Sequence, residues 1–152
     1  MRVMSIAYVS TVLEPDVDTV WAVLGDFHGL PAWVGRIRSG TAEGGDGRGP
    51  VGSVRVLVLE PEGHVARERL VRYDDADTVD RGYSYEFDGA IPFPATAYRG
   101  TVRARPVTDR GGTFVEWYGE FDCDPALAGE LSTTFRGIYS GFLDDLRAHL
   151  TG

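Results

Sequence analysis

The clearest periodic signal in the chain lies near its C-terminus. Leu127, Leu131, Phe135, Ile138, Phe142, Leu146 and Leu150 recur at gaps of three and four. That spacing predicts one amphipathic helix from Pro125 to Leu150 with a single apolar stripe. Upstream, the pattern shifts to short β-rich runs. Met4 to Leu13, Val54 to Leu59, Val65 to Tyr73, Val79 to Phe87, Ala95 to Arg105 and Thr113 to Cys123 read as strands. The later runs end in turn chemistry such as Pro61-Glu62-Gly63, Asp74-Asp75-Ala76-Asp77 and Asp109-Arg110-Gly111-Gly112. Asp16 is a good N-cap for a short helix that turns Val17, Val20, Trp21 and Leu24 inward, ended by Gly25-Asp26. Phe27 to Val34 reads as a second short helix or turn, and Gly44 to Gly52 as a flexible connection.

Short links between successive strands imply an antiparallel meander. A lone long helix buries its stripe by lying across the concave face of such a sheet. The expected fold is α+β, with a curved sheet of about seven strands and a cavity enclosed beneath the helix.

Composition narrows the setting. At 152 residues, residues 1–152 are expected to form one domain. With 15 basic and 23 acidic residues the net charge is −8, which argues against nucleic acid or an anionic membrane as partner. No apolar run is long enough to span a bilayer, and Met1 to Ser10 lacks a signal-peptide core. The single cysteine, Cys123, has no internal partner, so a cytoplasmic setting is expected. Lys, Asn and Gln are all absent, a pattern that codon bias would produce. Any polar site must do without a Schiff-base lysine or an orienting carboxamide.

Strand parity sorts the candidate chemistry. In Val65 to Tyr73, Arg67 and Arg69 share one face and send Glu68 to the other, inward. In Thr113 to Cys123, parity favours the Trp117 face as core, and only a polar cavity would turn Glu116 inward. Tyr83, Tyr85 and Tyr98 could line a pocket for a mostly apolar ligand, or be ordinary half-buried strand residues. His28, His64 and His149 have no metal-ligand spacing, and His149 suits the helix C-terminus. Asp144-Asp145 is expected to face water. No dinucleotide fingerprint, P-loop or nucleophile elbow is present, and no metal or other cofactor is expected.

Several segments together resemble the START-related helix-grip superfamily, the polyketide cyclase/dehydrase and lipid-transport proteins. They are Val20-Trp21-Ala22-Val23-Leu24 with Asp26-Phe27, Leu30-Pro31-Ala32-Trp33, Gly52-Ser53-Val54-Arg55, Glu68-Arg69-Leu70, Val115-Glu116-Trp117 and the closing helix. The likeness covers nearly the whole chain and looks closest to bacterial relatives of plant abscisic-acid receptors. It implies a cavity with Glu60-Pro61-Glu62-Gly63 as gate and Gly89-Ala90-Ile91-Pro92-Phe93 as latch. Arg38 falls where the receptors keep a lysine that meets the ligand carboxylate. Glu68, Tyr83, Tyr85, Tyr98 and Glu116 match pocket-lining positions, which turns Glu116 inward. The expected ligand-binding set is completed by Arg55, Leu57, Leu59, Ala66, Ile91 and Tyr118, with Phe135, Ile138 and Phe142 from the helix. The gate lacks the receptors' Ser-Gly-Leu-Pro order, the latch has no His-Arg pair and the helix lacks their Asn, so hormone sensing is not implied.

Two functions stay open. One is a cofactor-independent cyclase or dehydratase of polyketide-like aromatics in secondary metabolism, with Glu68, Glu116 and Arg38 as catalytic residues. The other is a non-catalytic carrier of a small hydrophobic molecule or lipid, in which Glu68 and Glu116 are merely paired with Arg38 and Arg55. Either would work as a monomer or homodimer.

Overall fold

The structure, a computed structural model, describes residues 4–151. Residues 1–3 and 152 of the expected 1–152 domain, and with them the first three residues of the Met1 to Ser10 stretch, lie outside the described residues. Seven strands form one antiparallel sheet in the order β1-β7-β6-β5-β4-β3-β2. Their ranges are β1 Ser5–Leu13, β2 Ile37–Glu43, β3 Val54–Leu59, β4 His64–Asp74, β5 Arg81–Phe87, β6 Ala97–Pro106 and β7 Thr113–Asp122. A short helix α1 (Val17–Leu24) and a 3-10 segment (Phe27–Ala32) follow β1, and the long helix α2 (Ala128–Thr151) closes the chain. This is the expected α+β helix-grip architecture.

Local chemistry accounts for most boundaries. The Asp16 side chain accepts from Thr19 N–H at 2.8 Å and starts α1, which buries Val20, Trp21 and Leu24. Asp124 accepts from Ala126 N–H at 2.9 Å, so a 3-10 turn over Pro125–Leu127 precedes α2. On β7 the alternation is strict: Thr113, Val115, Trp117, Gly119 and Phe121 are buried, and the residues between them are not.

Two readings need correction. The segment Ile37–Glu43 is a strand that hydrophobic patterning passes over, because on this edge only Ile37 is buried. On α2 the fully buried stripe runs Leu131, Phe135, Tyr139, Leu143, Leu146. Ile138 and Phe142, which share the periodicity, are only half-buried because, although packed against the core, each also borders open space between helix and sheet.

Aromatic rings need room above the sheet, and glycine provides it. At Gly100 on β6 an added Cβ would lie 2.3 Å from the Tyr85 ring, and at Gly119 on β7 it would lie 2.2 Å from the Tyr139 hydroxyl. Tyr85 is buried and cannot swing aside. A Gly100→Ala variant is therefore expected to lose about 1–3 kcal/mol of stability through overpacking. Urea unfolding followed by far-UV circular dichroism checks this, and an unchanged midpoint would contradict it.

Candidate functional site

Between α2 and the concave sheet lies a cavity of about 440 Å³. Its walls are mostly aliphatic and aromatic. Leu57 and Leu59 come from β3, Ala66 and Glu68 from β4, Tyr85 and Phe87 from β5, and Tyr98 from β6. The helix contributes Thr134, Phe135, Ile138, Tyr139 and Phe142. Pro92 and Phe93 from the β5–β6 loop, with His64 and Val65 beside the β3–β4 turn, border it on the loop side. Thus two residues of the expected latch border this space, and of the expected gate, Glu60 to Gly63, none lines it; His64 and Val65 just after it do.

The deep wall carries one charged cluster. Arg55 and Glu68 are direct cross-strand partners of β3 and β4. Arg55 Nε donates to Glu68 Oε1 at 2.7 Å, and Nη1 donates to the Phe27 carbonyl at 3.0 Å and the Tyr83 hydroxyl at 3.3 Å. The guanidinium also sits 4.2 Å from the Phe27 ring centroid and 4.7 Å from that of Tyr85, a cation–π setting on two sides. Burial alone would weaken its hold on a proton; Glu68, then Tyr83 and Tyr85, outweigh that and hold it firmly charged. Glu68 meets the cavity with its side chain 12% exposed, whereas Arg55 stands one layer behind with 2%.

Around this pair the phenols are neutral donors and acceptors. Trp117 Nε1 donates to the Tyr85 hydroxyl at 3.0 Å, and the hydroxyls of Tyr98 and Tyr139 bond each other. Burial pushes Tyr85 and Tyr98 well above the usual tyrosine range, with Glu68 reinforcing the shift, and it raises Tyr139 and Tyr83 as well.

The expected site residues divide into three groups. Leu57, Leu59, Ala66, Glu68, Tyr85, Tyr98, Phe135, Ile138 and Phe142 line the cavity. Arg55 and Tyr83 support it from behind, with Tyr83 fully buried. Four residues lie elsewhere. Glu116 and Tyr118 are on the outer face, because β7 turns Trp117 inward; Glu116 accepts from Arg105 at 2.7 Å and from Tyr8 at 2.5 Å, and Tyr118 stacks on Tyr8. Arg38 sits outside, 53% exposed, with Nε donating to Glu60 at 2.6 Å. Ile91 faces a separate outer groove with Met4 and Arg99.

Sequence reasoning missed Leu30, Arg36 and Ile37, which line the cavity from the segment before and at the start of β2. It also missed Tyr139, whose i+4 spacing from Phe135 was the available signal. Asp145 does not simply face water: it accepts from Gly35 N–H at 3.0 Å and ties α2 to that segment. His28 bonds Ser53 Oγ at 3.1 Å outside the cavity, and burial, then Arg55, lowers its proton affinity. Among the described residues no group of three or more His, Cys, Asp and Glu is placed to hold a metal ion, and no helix is long and apolar enough to cross a membrane.

Comparison with known proteins agrees with this architecture. The family model described as polyketide cyclase / dehydrase and lipid transport matches residues 4–151. Among solved structures, the protein XoxI from Bacillus cereus is 31% identical, with 97% of this chain and 96% of that one covered and a TM-score of 0.81. An uncharacterised protein from Bacillus thuringiensis is 30% identical over 97% of this chain and 100% of that one, with a TM-score of 0.82. Norcoclaurine synthase from Thalictrum flavum, in complex with dopamine and hydroxybenzaldehyde, shares the fold at 16% identity, covering 99% of this chain and 88% of that one with a TM-score of 0.76. The curated proteins contain no significant match.

Two outcomes are expected from the buried cluster. Replacing Arg55 with Met strands the Glu68 carboxylate and should cost about 3–5 kcal/mol, while Arg55→Met/Glu68→Leu together should recover most of that loss in urea melts. Alkali is the second probe. Because the folded phenols hold their protons more tightly than the unfolded ones, their contribution is complete below pH ~10 and is lost as pH climbs past it. Tyrosinate absorbance at 295 nm should therefore rise for these residues together with loss of the circular dichroism signal; smooth ionisation of all tyrosines in a folded protein would contradict it.

Proposed function

The chain belongs to the polyketide cyclase/dehydrase and lipid transport family, and from that premise we propose that it binds a small, mostly apolar or aromatic molecule in the cavity beneath α2. The observation that carries this reading is the space itself: about 440 Å³ walled by rings and aliphatic chains, with a single carboxylate at its deep side. That size and lining suit a small organic guest. A cytoplasmic setting is part of this reading, supported by a sequence whose single cysteine has no partner within the chain.

Carriage is the better supported form of this function. Glu68 already has a counter-charge in Arg55, and such a pair need do no chemistry. A catalytic form has one specific observation behind it: Glu68 faces the cavity beside the neutral phenols of Tyr85 and Tyr98. In a cyclase or dehydratase, Glu68 would move the proton while the cavity folded a flexible polyketide-like chain into a reactive conformer. Arg38 and Glu116 have no part in this form, because both side chains lie outside the cavity.

Fluorescence titration with the neutral probe 1-aminoanthracene tests binding. The wild-type protein should bind it, and Ile138→Trp, which fills the cavity from α2, should weaken binding at least about tenfold with little change in thermal midpoint. Equal affinity in both proteins would remove the reading. For the catalytic form, Glu68→Gln should retain the probe yet lose on the order of 10²-fold or more of turnover on an aromatic polyketide-type substrate. Unchanged turnover leaves carriage alone.

A further inference from the structure

The charges around the cavity are sorted by depth. At the deep side stands Glu68, with its side chain 12% exposed and its counter-charge behind it. At the outer end stand residues open to water: Val65 is 55% exposed, the His64 side chain 75%, and Arg36 is exposed as well. Arg36 lines the cavity, yet no carboxylate of the described residues lies within ion-pairing reach of its guanidinium. Its neighbours at this end are spent: Arg38 is bound to Glu60, and His64 lies 3.3 Å from Glu62. Among the described residues Arg36 is the arginine that lines the cavity, and no acid of the chain neutralises it there.

The backbone fixes where that charge stands. The Arg36 carbonyl accepts from Glu60 N–H at 2.7 Å, tying it to the β3–β4 turn. The adjacent Gly35 N–H donates to Asp145 Oδ2 on α2 at 3.0 Å, and Ile37 N–H donates to the Val34 carbonyl at 3.2 Å. Arg36 is therefore held between the turn and the helix at the entrance, and little backbone ordering is left for a ligand to impose.

We propose that the occupant of the cavity is an amphipathic carboxylic acid, bound with its apolar body inward and its carboxylate at the mouth on Arg36. This rests on the ligand-binding reading above and adds the ligand's class and orientation. The guanidinium fork pairs with a carboxylate through two parallel hydrogen bonds, a geometry that a hydroxyl or an ester does not match. The opposite orientation is disfavoured. A carboxylate driven inward would lose its hydration and meet the like charge of Glu68, while the nearest cation, Arg55, is already bound to Glu68, Phe27 and Tyr83. The partly aqueous mouth leaves the Arg36 contact open to screening, so the preference for an acid should shrink with added salt.

The test uses a matched pair of fluorescent probes, cis-parinaric acid and its methyl ester, at neutral pH and low salt. The wild-type protein should bind the acid about tenfold more tightly than the ester. Arg36→Ala should bring the acid down to the ester's affinity and leave the ester unchanged, Arg36→Lys should restore part of the preference, and Arg38→Ala should behave as wild type. Equal affinities for acid and ester in the wild type, or a preference that survives Arg36→Ala, would overturn the proposal. If 1-aminoanthracene binds but neither fatty probe does, the acid class fails and the cavity reading stands; if none of the three binds, both fail.

Discussion

The buried guanidinium of Arg55 is the constraint around which this half of the molecule is arranged. Taking such a charge out of water costs several kcal/mol unless every donor finds a partner in good geometry. Here the partners come from separate pieces of chain: Glu68 on β4, the carbonyl of Phe27 in the 3-10 segment, and the hydroxyl of Tyr83 on β5. The ring faces of Phe27 and Tyr85 close over it. No one of these contacts suffices alone. The network thus couples the register of β3 on β4 to the seating of the 3-10 segment, and so to the wall of the cavity.

The cavity exists because large and small residues are distributed unevenly above the sheet. Glycines at 100 and 119 let Tyr85 and Tyr139 lie close to the strands. Tyr139 reaches Tyr98 and stacks against Trp117 and Phe135, so that end of the space is filled by rings. One residue earlier on α2, Ile138 is only partly buried and lines the gap together with Leu57, Leu59 and Ala66 of the sheet. A helix stripe that is one residue too wide for its sheet leaves a gap, and the gap is lined by the surplus.

Much of this was legible in the sequence, for reasons that differ by element. The α2 stripe and the β7 alternation are strong periodic signals, and Glu68 was placed inward because Arg67 and Arg69 had to face water. The edge strand β2 was not legible, because an edge that buries one residue in seven has no periodicity to read. Arg36 was missed for a related reason. Whether an arginine at a strand entrance faces water or a cavity depends on which carboxylates reach it, and that is decided by pairing between distant segments. The same cause removed Arg38, which Glu60 holds outside.

Glu116 shows where each kind of inference has authority. Parity along β7 favoured the Trp117 face as core, whereas likeness to a family of pocketed proteins favoured Glu116 inward, and the register follows parity. The reason is energetic. Turning Glu116 inward would reverse the whole strand, exposing Val115, Trp117 and Phe121 to gain one polar wall residue. Outside, Glu116 joins a set of cross-strand Arg–carboxylate pairs, including Arg99–Glu86 and Arg103–Asp80, that cover the convex face. Arg99–Glu86 is exposed on both sides and worth little, whereas Glu116 and Arg103 are mostly covered; together the pairs give these arginines of the outer sheet an acid to face. A family resemblance therefore carries the hollow and its approximate walls, whereas the assignment of a single side chain to that hollow has to pass through strand register first.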